Sequence, residues 1–80
     1  MTETVLVFNC GSSSIKYELV DPRRAARLTS GLIERIGEDV ARIEHTHGGT
    51  TAERHRPLAT HREALRTVLA LFNELGPCLS

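Results

Sequence analysis

The opening strand-turn-strand pattern constrains this chain most. Val5-Leu6-Val7-Phe8 is an unbroken apolar run bounded by turn residues, the pattern of a strand covered on both faces and central in its sheet. Asn9-Cys10-Gly11-Ser12-Ser13-Ser14 follows as a turn of small polar residues. Ile15 to Val20 then alternates, with Ile15, Tyr17 and Leu19 on one face and Lys16 and Glu18 on the other. The two runs predict a hairpin, ended by Asp21-Pro22 because proline fixes its own backbone and restricts its predecessor.

Weaker strand signals come next. Leu28 to Ile36 reads as a strand with a bulge or bend at Gly31. Val40 to His47 alternates, placing Ala41, Ile43 and His45 on one face. Gly48-Gly49 is a hairpin turn signal, and Thr50 to Arg56 reads as a polar edge strand closed by Pro57. Thr60 and Glu63 then form a Thr-x-x-Glu capping box. Leu65, Val68, Leu69, Phe72 and Leu75 recur at helical spacing as an apolar stripe, and Gly76-Pro77 stops the helix. The fold class is therefore α/β in composition: about five strands, mostly antiparallel, then one helix that packs on them over about residues 60–75. No returning parallel strand follows, so the layout is incomplete.

Composition narrows the partners. Eighty residues make one small domain at most, with ten basic and ten acidic residues in balance. A net charge of zero offers no field for nucleic acid or an anionic membrane. Arg23, Arg24 and Arg27 cluster, and Arg54 and Arg56 flank His55, but three aromatics are too few for a nucleic-acid surface, and these arginines read as solvated. There is no basic n-region before a short apolar run and no stretch long enough to span a bilayer. The expected location is the cytoplasm, with Cys10 and Cys78 reduced.

The turn carries the chemistry. Gly11 can take backbone angles other residues avoid, letting amides converge on an anion. The serines add hydroxyl donors, and Lys16 adds a mobile positive charge just beyond. Asn9 is a neutral oxygen ligand able to hold magnesium through water. The pattern lacks the Gly-x-x-x-x-Gly-Lys-Ser/Thr of a Walker loop, and a strand follows it where both Walker and dinucleotide motifs open a helix. Taken alone, Gly-Ser-Ser-Ser is also an ordinary hairpin turn.

The full string Val7-Phe8-Asn9-Cys10-Gly11-Ser12-Ser13-Ser14-Ile15-Lys16 resembles the N-terminal signature of acetate kinases and their propionate and butyrate kinase relatives. Cys10 stands where alanine is often found. Gly31 to Gly37 resembles the family's G-L-x-E-R-I-G stretch, and Leu58 to Leu65 resembles its first helix. The resemblance implies the N-terminal part of a ribonuclease-H-like domain of the sugar kinase, actin and heat-shock ATPase superfamily. It implies reversible transfer of the γ-phosphate of ATP to acetate with Mg2+, by a cytoplasmic homodimer in its intact form. Carried over by position, Asn9 belongs to the magnesium site, while Ser12, Ser14 and Lys16 contact the ATP phosphates. The family's substrate arginines, catalytic aspartate and transition-state histidine have no counterpart here, so no catalytic residue is assigned and the chain alone is expected to be inactive. Two rivals remain: an interaction module pairing through the edge of Val5–Phe8, and a metal module using His45, His47, His55 and His61.

Overall fold

The structure, a computed structural model, describes residues 3–75. The helix stop at Gly76-Pro77 and Cys78 lie outside the described residues. The element order is β1 (Val5–Cys10), β2 (Ile15–Asp21), β3 (Ala26–Glu34), β4 (Ala41–His47), β5 (Thr50–Arg56) and α1 (His61–Leu75). The strands form one antiparallel sheet in the order β1-β2-β3-β4-β5, a meander with no crossover. Five antiparallel strands followed by one helix is the arrangement the sequence predicts.

Each turn has its own chemistry. After β2, the buried Asp21 carboxylate accepts from the Arg23 amide at 3.0 Å, closing a turn in which Ala25 takes φ of 50°. Gly48 and Gly49 join β4 to β5 with φ of 61° and 81°, the doubly positive pair of a type I′ turn. Thr60 caps α1: its Oγ1 accepts from the Glu63 amide at 3.2 Å. The Glu63 carboxylate reaches back past Thr60 and accepts from the Ala59 amide at 2.7 Å.

The core lies between the sheet and α1. Ile15, Tyr17 and Leu19 of β2, Ile33 of β3, and Ala41, Ile43 and His45 of β4 face Ala64, Val68, Leu71 and Phe72. Burying one large apolar side chain is worth roughly 1.5–3 kcal/mol. Tyr17 is its hub. Its ring lies 5.7 Å from Phe72 and 5.8 Å from His45, and its hydroxyl bonds His45 Nδ1 at 2.7 Å. Burial pushes the Tyr17 phenol well above its usual titration range, so it stays neutral. The opposite face is ionic: Arg42 reaches Glu34 at 3.0 Å, Glu53 at 3.5 Å, and Glu44.

Three sequence expectations are corrected here. First, β1 is not buried on both faces. It is an edge strand with one neighbour, and Val5, Val7 and Phe8 are exposed; only Leu6 packs against the core. Second, the helix buries a face rotated from the expected stripe. Ala64 and Leu71 are inside with Val68 and Phe72, while Leu65 and Leu69 are 37% and 54% exposed. Third, the bulge is not at Gly31. The register shifts between Leu19 and Val20, and Gly31 is glycine because Tyr17 lies across it: a Cβ there would sit 1.9 Å from Tyr17 Cζ.

Candidate functional site

The turn between β1 and β2 is closed by the pair Cys10↔Ile15, leaving Gly11 to Ser14 as its loop. Inside the loop the Gly11 amide donates to the Ser14 carbonyl at 2.8 Å. Gly11 does not use a positive φ, which corrects the sequence reasoning; what a side chain here would disturb is the Ser14 hydroxyl. A Cβ on Gly11 would meet Ser14 Oγ at 2.8 Å. Ser14 is thus half-buried and built into the turn, while Ser12 and Ser13 are exposed.

Two distant elements grip this loop. The chain leaves β3 through Arg35, which takes φ of 64°, and Gly37, at 90°. A positive φ on a residue other than glycine, asparagine or aspartate is uncommon and costs energy, so the surroundings must hold it. They do: the Ile36 amide donates to the Ser13 carbonyl at 2.9 Å, and the Gly37 amide donates to the Leu58 carbonyl at 2.7 Å. From the other side, His61 Nε2 bonds the Gly11 carbonyl at 2.8 Å. Both ends of the loop are therefore anchored through carbonyls. The amides of Ser12, Ser13 and Ser14 have no partner among the described residues.

Asn9 and Lys16 are directly opposite each other on β1 and β2. Directly paired antiparallel residues share a face at a Cβ spacing of about 5 Å. Tyr17 and Ile15 point to the core, so Lys16 and Asn9 point to the face away from α1, and both are exposed. Glu18, next along that face, is engaged by Arg27 at 3.2 Å, and no carboxylate lies within ion-pair distance of Lys16 among the described residues. The sequence-selected residues Asn9, Ser12, Ser14 and Lys16 thus gather at one end of one hairpin: open amides and a hydroxyl at the tip, and an ammonium and an amide side chain one pair behind. This suits a polyanion that takes hydrogen bonds at one end and charge at the other.

Sequence reasoning missed Arg35, Ile36 and His61 as parts of this site. Ile36 and His61 touch the loop across 23 and 50 residues of chain, and Arg35 only shapes the turn that brings Ile36 there; no local pattern reports these contacts. Two hints existed: the Thr60 cap places His61 at the first helical position, and Gly37 follows Arg35 closely.

The four histidines do not converge. His45 bonds Tyr17, His47 bonds Thr29, His55 bonds Glu53 and His61 bonds Gly11. Among the described residues no three metal-ligating side chains cluster. No described helix is long and apolar enough to cross a membrane.

Comparison with known proteins places this geometry. The model of the acetokinase family matches residues 4–77. An acetate kinase of Streptomyces coelicolor is 51% identical over 74 residues, covering 90% of this chain and 17% of that protein. One from Clavibacter sepedonicus is 45% identical over 75 residues, covering 94% of this chain and 19% of the relative. The chain therefore spans about a fifth of the length of these relatives. The crystal structure of Porphyromonas gingivalis acetate kinase superposes with a TM-score of 0.87 at 28% identity, over 98% of this chain and 20% of that one. A propionate kinase from Francisella tularensis, 24% identical with a TM-score of 0.83, shares the fold.

Proposed function

The chain belongs to the acetokinase family, and on that premise we propose that it supplies the first phosphate grip of an acetate kinase. Its sheet and helix are the N-terminal part of an actin-like ATPase domain. The reaction is reversible transfer of the γ-phosphoryl group of ATP to acetate, giving acetyl phosphate and ADP. The observation that carries the reading is the loop itself: three open amides in a loop anchored through two of its carbonyls, with Lys16 behind them.

Phosphoryl transfer asks a protein mainly for positioning and charge neutralisation. The Ser12 hydroxyl and the loop amides hold phosphate oxygens, Ser14 contributes its hydroxyl from the loop wall, and Lys16 offsets negative charge. Asn9 fits magnesium as a single neutral oxygen contact through water, since that ion keeps several waters and takes its charge balance from phosphates and carboxylates. Asn9 alone makes no metal site, and among the described residues no cluster completes one. Magnesium brought with the nucleotide would add charge neutralisation, with Asn9 as one water-mediated contact. The acceptor carboxylate, the adenine and the reacting centre are handled by the remainder of a kinase of the relatives' length, which acts in the cytoplasm as a homodimer. On this reading the 80-residue chain alone forms no acetyl phosphate.

The test is a graft. Residues 4–77 replace the matching segment of the Streptomyces coelicolor enzyme, and acetyl phosphate formation is followed by a coupled assay. The graft is expected to be active. Lys16→Ala in it should lower kcat/KM for ATP about ten- to a hundredfold, the worth of a charged hydrogen bond, with the KM for acetate little changed. An unchanged ATP dependence would sink the assignment of Lys16, and turnover by the isolated chain would overturn its inactivity. Exposed Val5, Val7 and Phe8 on an open edge favour one other reading, a chain that associates through β1 without catalysis. An inactive graft together with a dimeric isolated chain in sedimentation would select it.

A further inference from the structure

We propose that His61 is a positioning residue for the phosphate loop, acting through the Gly11 carbonyl; this rests on the phosphate-binding reading of that loop. A carbonyl oxygen only accepts, so the bond at 2.8 Å requires the proton on His61 Nε2. The Gly11 carbonyl and the Ser12 amide belong to one planar trans peptide, in which C=O and N–H point in opposite directions. Fixing the carbonyl on His61 therefore turns the Ser12 N–H away from His61. The same logic holds at the loop's other end, where Ile36 takes the Ser13 carbonyl at 2.9 Å and turns the Ser14 amide. The two anchors differ in kind. Ile36 acts through backbone, so any residue tolerating that turn provides the bond. The Gly11 anchor depends on one side chain.

That side chain is well held. His61 is the first residue of α1, behind the Thr60 cap, on a helix locked to the sheet by Ala64, Val68, Leu71 and Phe72. Its ring is half-buried and reaches 50 positions back along the chain. A hinge at the loop would otherwise be easy, because its residues are small and Ser12 and Ser13 are exposed. The structure assigns to His61 the task of removing that freedom before nucleotide arrives, so that ATP binding does not bear the ordering cost.

Three substitutions separate this from a structural role. His61→Phe keeps a ring and removes the donor. His61→Gln keeps an N–H at a similar reach. His61→Ala removes both. In the active graft described above, His61→Phe and His61→Ala should lower kcat/KM for ATP about three- to tenfold, the worth of one net hydrogen bond, with the KM for acetate unchanged. His61→Gln should recover most of it. Melting temperature is read alongside; a loss of ATP dependence that merely follows melting, or equal losses in Phe and Gln variants, would overturn the proposal. A second readout needs no activity. In the labelled 80-residue chain, His61→Phe should drop the NMR order parameters of Ser12 and Ser13 toward the flexible range, below about 0.6, while β1 and β2 stay rigid. Unchanged order parameters would overturn it as well. An inactive graft whose loop still loosens on His61→Phe would instead fault the kinase reading and leave the anchor standing.

Discussion

Strand β2 hides Ile15, Tyr17 and Leu19 beneath α1, whereas its hairpin partner β1 leaves Val5, Val7 and Phe8 in water. The two strands pair residue for residue from Val5↔Val20 to Cys10↔Ile15, so backbone geometry does not distinguish them. Coverage does. β2 has a strand on each side and a helix across one face, while β1 has one neighbour and packs only Leu6 against the core. The alternating sequence of β2 matches the half-covered state it occupies. The continuous apolar sequence of β1 matches a strand covered on two faces, more cover than these residues give it. An apolar pattern thus reports the environment a strand is built for.

The largest effect that would break this contrast is Tyr17→Ala. Losing a buried aromatic costs about 3–5 kcal/mol, a large part of the roughly 5–15 kcal/mol that stabilises an ordinary domain. Urea unfolding of the chain should show it, and a loss below about 1 kcal/mol would mean that β2 is not the core strand. Gly31→Ala should come next, at about 1–3 kcal/mol, because the new methyl overlaps the Tyr17 ring. In a Tyr17→Ala background that cost should nearly vanish, and an additive double mutant would refute the overlap as its cause. Val7→Ala on β1 should cost less than about 1 kcal/mol in the isolated chain, since Val7 is already 47% exposed. In the Streptomyces coelicolor graft the same change should cost more unfolding free energy than in the chain alone. Equal free-energy losses in both would mean that β1 gains no cover in a longer kinase.

The smallest effect is electrostatic. The Arg54 guanidinium takes the Glu74 carboxylate with two hydrogen bonds, at 2.8 and 2.7 Å, and holds its pKa below the ordinary 4.5. His55 does the same for Glu53, with help from Arg42. A lowered folded-state pKa means that the contribution is present above the unfolded pKa and is lost as pH falls through the folded one. Both pairs are exposed, so each contribution is slight. Acid titration of the melting temperature should show a shallower decline in Arg54→Ala than in the parent; identical limbs would show that the pair adds nothing.

Local chemistry was readable and distant chemistry was not. Gly48-Gly49, the Thr60 cap and the alternation of Ala41, Ile43 and His45 each depend on neighbours in sequence, and each appears as expected. The face of α1 was misread because Leu65 and Leu69 fit a helical period as well as Ala64 and Leu71 do; only the packing of the helix on the sheet chooses between them. Gly31 was misread because its reason lies on another strand, in the Tyr17 ring. At the loop, Gly11 and its serines are legible as a turn, but the anchors at Ile36 and His61 belong to tertiary structure.

The His61–Gly11 bond also sets an order of events during synthesis. A ribosome delivers the loop residues first, and the hairpin of β1 and β2 can close on microsecond timescales once both strands have emerged. The anchor on Gly11 has to wait until residue 61 is outside the exit tunnel, 50 positions later. At translation speeds of about 5–20 residues per second, that is a delay of seconds. For that interval the nascent chain displays the loop of residues 11–14 without one of its two anchors, and the loop takes its full set of contacts only when α1 docks.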